Sequence, residues 1–418
     1  MRMLQDIFKS QIQEQLSFHK IGTRLIEKKL KEKGITLNDD QLTKIESWLL
    51  NLEGNAITIT IDEERLPVLN LGSEEEIKDI LRIDLSNFER DIEELFDRFT
   101  KGLSEVIPEV VEELSELILK QLKQDAPSML RDRKKERNLF EARMAKAWRK
   151  PLDLLEMFLA IALEVGDDFN REFRLIASQD NDWVFEVLTR LHARACQIGS
   201  EVLTLLRAGH ADGAHARWRS LHEIAVIGFF VKSGGNELAE RYLLHDAIES
   251  YKAAKDYQEH CRALGYEPLS EDELNEIRSN YQHLVDRFGN SYKEEYGWAA
   301  AAIGKNRPTF RDIEKAVELD HLRPFYKLAS HNVHANPKGV FFKLGLFPGS
   351  GDVLLAGPSM AGLADPGHGT AISLAQITTA LLPTRPNIDR LVVCDILTRL
   401  GQEVGEEFLA AHQSLERE

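Results

Sequence analysis

The chain has 418 residues, 43% hydrophobic and 29% charged, with 53 Lys and Arg against 69 Asp and Glu for a net charge of −16. That composition suits a globular protein of two or three domains and excludes a disordered chain. Three scattered cysteines (Cys196, Cys261, Cys394) without a CxxC pair exclude a disulfide framework and a thiolate zinc site. The start lacks an apolar leader, and no run approaches the 18 or so apolar residues that span a bilayer. These features predict a cytoplasmic protein with no membrane partner.

Apolar residues at three- and four-residue spacing among charges, with only 13 prolines, predict a mainly α fold. A polar helix is expected from Asp6 to Lys33, stopped at Gly34, and a second, capped by Asn38 or Asp39, through Leu50. The alternating β-branched run from Ala56 to Ile61 predicts a strand. Between Ser73 and Lys120 stand 15 acidic and 6 basic residues, and between Arg131 and Lys150 stand 9 basic and 3 acidic. Such blocks are expected on solvated helix faces or as an electrostatic surface. Asp125, Pro127 and Ser128 predict a break, which divides the chain into a charged helical region (1–125), a basic connecting segment (126–150) and a helical bundle (151–418). Helices are predicted from Pro151 to Val165, Trp183 to Arg207, Ala214 to Val231 (ended by Ser233 to Gly235), Glu237 to Leu264, from near Asp272 to Gly289, Ile372 to Leu382 and Ile388 to His412. Two β-prone segments around Pro348 to Gly351 predict a small β-hairpin insertion near the C-terminus.

Eleven of the thirteen histidines lie between His192 and His368, so histidine chemistry belongs to the second half. In HARWRSLHE, His215, Arg219, His222 and Glu223 share one helix face. In YKLASHNVHANPKG, Tyr326, Ser330 and His334 follow at four-residue steps, with His331 beside them. His245, Glu249 and Tyr251 lie on a helix between the two groups. The pattern lacks HExxH, a P-loop, a GxSxG elbow and a dinucleotide-binding GxGxxG, so neither a metal nor a cofactor is expected. Arg217 with His222 and Arg278 with His283 fit the Arg-to-His spacing of helical ribonucleases, in a number that chance alone supplies.

Residues from about Pro151 to Arg399 resemble a widespread bacterial helical domain of unknown function. The resemblance rests on Arg219 and Glu223 of ARWRSLHEI, YGWA from Tyr296, Tyr326 with Ser330 and His334, and GPSMAGL from Gly357. It implies a toxin or phage-defence setting and a likeness to HEPN-type helical bundles. On that basis the expected function is metal-independent RNA cleavage. His334 or His222 would be the acid/base, Arg219 or Arg217 the phosphate clamp, Glu223 the residue that orients one of them, and Ser330 a further catalytic group. Tyr326, His331 and His245 would line the substrate, and because a chain at −16 repels nucleic acid, Arg133 and Lys134 would supply a local basic contact for RNA. The alternative is a non-catalytic helical sensor or scaffold whose polar cluster is structural or binds a small ligand such as a nucleotide. In either case the charged N-terminal region is expected to be regulatory or to mediate homo-oligomer or partner assembly. The two readings diverge in burial: an enzyme gathers Arg219, Glu223 and His334 in one cleft, whereas a scaffold buries them as satisfied pairs.

Overall fold

Apolar spacing over the first described segments builds two short amphipathic helices. A computed structural model of the chain describes residues 17–32, 34, 36–50, 88–334, 336–347, 349 and 353–417. Helix α1 (Phe18–Glu32) stops before Gly34, and α2 (Asp39–Leu50) follows. Asn38 Oδ1 accepts from the Gln41 amide at 2.9 Å, while Gln41 Oε1 accepts from the Asn38 amide, so the first turn of α2 is capped reciprocally. Leu25, Ile26, Leu30, Ile45 and Leu49 are the buried large apolar residues of this pair. The expected strand at Ala56 to Ile61 lies outside the described residues, as does the chain before residue 17.

Helix α3 runs from Phe88 to Asp180. It passes through Pro127 and Pro151, which correct the break expected at Asp125 to Ser128 and the helix start expected at Pro151. A proline removes one backbone donor and crowds the preceding turn, a cost of about 3 kcal/mol that long flanking helix absorbs. Two units divide the chain, Met1–Arg131 and Asp132–Glu418, and their border falls within residues 126–150.

The second unit is a helical bundle. Its members are the later part of α3, then α4 (Trp183–Arg207), α5 (Ala211–Leu244), α12 (Ala364–Leu381) and α13 (Ile388–Arg417). Their apolar stripes meet in one core containing Trp148, Leu155, Phe158, Leu188, Leu221, Leu374, Ile377 and Phe408. At the turn between α4 and α5, Gly209 has φ +76°, a conformation that side chains rarely adopt. A Cβ there would also lie 2.6 Å from the Phe140 ring. Gly235 (φ 66°) interrupts the helical backbone inside α5, near the expected stop. The helix expected from Glu237 to Leu264 is instead divided at His245, between α5 and α6 (Asp246–His260). Helix α7 (Glu271–Phe288) begins at a capping box of Ser270 and Glu273 and packs back on α6, with Tyr251 and Tyr281 stacked at 4.2 Å. Four short helices follow: α8 (Ala300–Ile303), α9 (Phe310–Ala316), α10 (Arg323–Val333) and α11 (Pro337–Phe341).

The expected β-hairpin insertion is corrected. Among the described residues between Gly339 and Gly367 there is no strand, and residues 339–341 are helical. Val353 and Leu354 are 55% and 92% exposed, so their apolar run has no sheet face to cover. Several backbone groups here pair with the bundle. The Leu344 and Gly345 amides donate to the Asp212 carboxylate at 3.0 and 3.3 Å, Ser359 donates its amide to Gly209 O at 2.9 Å, and Trp148 Nε1 donates to Met360 O at 3.0 Å. The described residues of 342–363 therefore form an irregular strap.

Candidate functional site

Helix α5 carries HARWRSLHE on the side that meets α9 and α10. Its spacing places His215, Trp218 and His222 in one stack, with ring centroids 5.4 and 5.6 Å apart. Trp218 Nε1 donates to Ser373 Oγ of α12 at 3.1 Å. His222 is fully buried, and its Nε2 donates to Glu314 Oε1 of α9 at 3.2 Å. Glu314 is equally buried and its second oxygen accepts from Arg323 Nη1 of α10. A charged carboxylate in the core is tolerated because two donors from two other helices satisfy it.

Interleaved with this stack on α5, Arg219 Nε lies 3.1 Å from Glu223 Oε1. The N–H does not point along that line, so the contact is an ion pair and not a hydrogen bond. The same Glu223 oxygen accepts from the Tyr326 hydroxyl of α10 at 2.6 Å. Burial, reinforced by that hydrogen bond to a carboxylate, pushes the Tyr326 phenol up to about 12. Arg219 and Arg323 both stack on the Tyr326 ring, 4.9 and 5.2 Å from its centroid. Phe310 closes the ring's apolar surroundings at 5.1 Å.

The remaining expected site residues lie apart from this cluster or face other partners. Ser330 Oγ donates back to Tyr326 O at 2.8 Å, an ordinary bond within α10. His331 Nδ1 accepts from Asn336 Nδ2 at 2.9 Å. His334 is exposed at the C-terminal end of α10, where the chain leaves helical geometry. Arg217, two residues from Arg219, points elsewhere and pairs with Glu201 of α4. His245 Nε2 donates to the backbone carbonyls of Tyr292 and Glu294, both at 3.0 Å, and is buried at the α5–α6 junction. Arg133 and Lys134 are exposed on α3, and Arg133 is paired with Glu136.

Glu314 and Arg323 are the two members that sequence reasoning missed. A signal existed for Glu314. The Thr309 and Asp312 capping box starts α9, and Glu314 follows Phe310 by one turn on the buried face with Ile313. For Arg323 the signal is weaker, a step of three residues before Tyr326.

A second histidine group is chemically silent. Cys196 Sγ sits 3.8 Å from His192 Nδ1, and His192 Nε2 is 3.0 Å from Thr378 Oγ1. Burial pushes the thiol up to about 12 and the imidazole down to about 4, so both stay neutral and no thiolate forms. Among the described residues no three His, Cys, Asp or Glu side chains are grouped to hold a metal ion, and no helix is long and apolar enough to cross a membrane. An open groove between α3 and the end of α4, floored by Met144 and Leu152 and edged by Lys146, Arg149 and Arg207, contains none of the expected site residues.

Residues 185–349 match the model of a family of unknown function (DUF5677). No curated protein and no solved structure matches the chain. The matched segment holds α4 to α11 and with them both halves of the polar cluster, His222, Glu314 and Arg323 as well as Arg219, Glu223 and Tyr326. Three of the four pieces that carried the resemblance fall inside it, and GPSMAGL lies beyond its end. Their structural roles differ. Trp298 of YGWA packs on Tyr242 and Phe230 and accepts from Arg241 Nε at its carbonyl, whereas Ser359 and Met360 of GPSMAGL fix the strap to the bundle.

Proposed function

We propose that the chain is a non-catalytic helical sensor or scaffold, whose polar cluster fastens α9 and α10 to α5 and takes a small ligand at its outer edge. The observation that carries this reading is the complete burial of His222 and Glu314, paired with each other and with Arg323. A general acid or base has to reach its substrate, and a side chain with no solvent access does not. His334, the other candidate acid/base, follows Tyr326 by eight residues, about 12 Å along a helix axis. The charged N-terminal region is proposed to mediate assembly.

RNA cleavage by a toxin or phage-defence effector of HEPN-like type is the second reading. It is favoured by one observation, that His334 is exposed just past the end of the helix that Arg323 begins. Purified protein incubated with total RNA separates the two. The sensor reading expects intact RNA and no growth arrest when the chain is induced in a bacterial host. RNA fragmentation that disappears in both His334→Ala and Arg219→Ala, with both variants soluble, would establish the nuclease instead.

A further inference from the structure

Where the chain leaves α10 it turns tightly into α11. Asn336 Oδ1 accepts from the Gly339 amide and its Nδ2 donates to His331 Nδ1, both at 2.9 Å. Gly339 presses its backbone against the last turn of α10, where a Cβ would lie 2.0 Å from His331 O. A corner fixed in this way holds its outer side chains in place, and those side chains are apolar and cationic. Val333, Val340 and Phe341 are 50%, 65% and 85% exposed, and Lys338 is exposed among them. Lys338 also lies over the ring of Phe342, 5.5 Å from its centroid. Lys343 follows Phe341 by two residues, and Lys327 is exposed on α10, about 9 Å of helix before Val333.

From His321 to Gly351 the sequence carries no Asp or Glu, although 69 of its 418 residues are acidic. The carboxylates that bond to this stretch, Asp212, Glu223 and Glu314, are engaged by the Leu344 and Gly345 amides, the Tyr326 hydroxyl and Arg323. Lys327, Lys338 and Lys343 have no acidic partner among the described residues.

We propose that this corner is a docking surface for an anionic lipid bilayer. Val333, Val340 and Phe341 enter the acyl boundary, and Lys327, Lys338 and Lys343 act at the level of the headgroup phosphates. A phenylalanine 85% exposed stands out from the surface, whereas a partner helix needs a groove to lie in. Two of the three apolar side chains are valines, which offer no ring for a base to stack on, so single-stranded nucleic acid fits less well. The contact lies on the membrane and needs no spanning helix. It departs from the expectation that no membrane is a partner, and it stands whether or not the polar cluster takes a ligand.

Cosedimentation of the full chain with vesicles of phosphatidylcholine, alone or with about one third phosphatidylserine, tests it. The chain is expected to pellet with the mixed vesicles, to stay in solution with phosphatidylcholine alone, and to come off as salt is raised to about 0.5 M. Phe341→Ala with Val340→Ala weakens binding about tenfold, and Phe341→Trp keeps it. Lys327→Gln and Lys338→Gln each weaken it about fivefold. These side chains are exposed, so helicity stays unchanged. Arg133→Gln with Lys134→Gln, in the basic part of α3, changes nothing. No pelleting with mixed vesicles overturns the proposal, as does equal pelleting with both lipids or a loss as large in the α3 variant as in the Phe341 variant. A Phe341→Ala, Val340→Ala chain that still pellets but loses mass in light scattering assigns the face to a second copy instead. Polyuridylate binding that this variant abolishes, with no uptake on vesicles, assigns it to single-stranded nucleic acid, and either result overturns the lipid surface.

Discussion

Glu314 decides how α5, α9 and α10 stay together, because removing its carboxylate leaves donors from two helices without an acceptor. Glu314→Ala is expected to cost about 2 kcal/mol, less than a fully sealed ion pair, since the partly exposed Arg323 can hydrate. Chemical denaturation with an unchanged m-value checks this. Buried histidines set a second expectation. Burial lowers the imidazole of His192 to about 4, and also that of His215, where Asp212 opposes the shift. An unfolded chain takes up those protons near 6.5 and the folded chain only near 4. Stability is therefore full above about pH 7, falls as the pH drops from about 6.5 to 4, and levels off below. His215→Leu should flatten part of that acid limb in denaturation midpoints measured across the range. At this scale the sequence was informative where partners were neighbours along the chain. Arg219 and Glu223 could be paired from their spacing of four, and Tyr326 could be placed on a face. The Glu314 link joins positions 92 residues apart in the chain, and no local period encodes it. His222 was read as a reagent because a histidine on a polar-looking face gives no sign of the helix that will cover it.

Helical periodicity located α4 and α7 to within a residue or two, found the end of α12 and the start of α13 but missed the first two turns of α12, and glycine marked the interruption of α5 at Gly235. Breaker rules misled at Pro127 and Pro151, where long flanking helix outweighs one lost backbone bond. They misled again at residues 339–367, where β-prone composition met no partner strand among the described residues. Asp212, at the first turn of α5, holds the Leu344 and Gly345 amides. Asp212→Ala should free that part of the strap without loosening the bundle. Hydrogen exchange at residues 344 and 345 and cleavage by a nonspecific protease are expected to quicken, with the global unfolding free energy changed by no more than about 1 kcal/mol. Loss of cooperative unfolding in this variant would show that the strap is part of the core.

In the described first part of α3, charge and exposed apolar side chains coincide. Leu114, Leu117 and Leu122 of α3 are 40%, 65% and 58% exposed, on a stretch where acidic residues outnumber basic ones. This supports the proposed assembly role for the N-terminal region, since exposed apolar surface of this kind marks interaction sites. Light scattering on the full chain should give a mass above the monomer, and Leu117→Glu with Leu122→Glu should lower it to the monomer. A monomeric wild type at micromolar concentration would rule the role out.

The bundle's close packing also bears on how far the family match can be cut out. Residues 185–349 supply α4 and α5, but Trp148 and Phe158 of α3, Leu374 and Ile377 of α12 and Phe408 of α13 complete the core those helices share. A fragment trimmed to the recognisable borders would bare the inner faces of both helices to water, and it is expected to aggregate. The matched segment is thus smaller than the compact unit, residues 132–418, that holds this core.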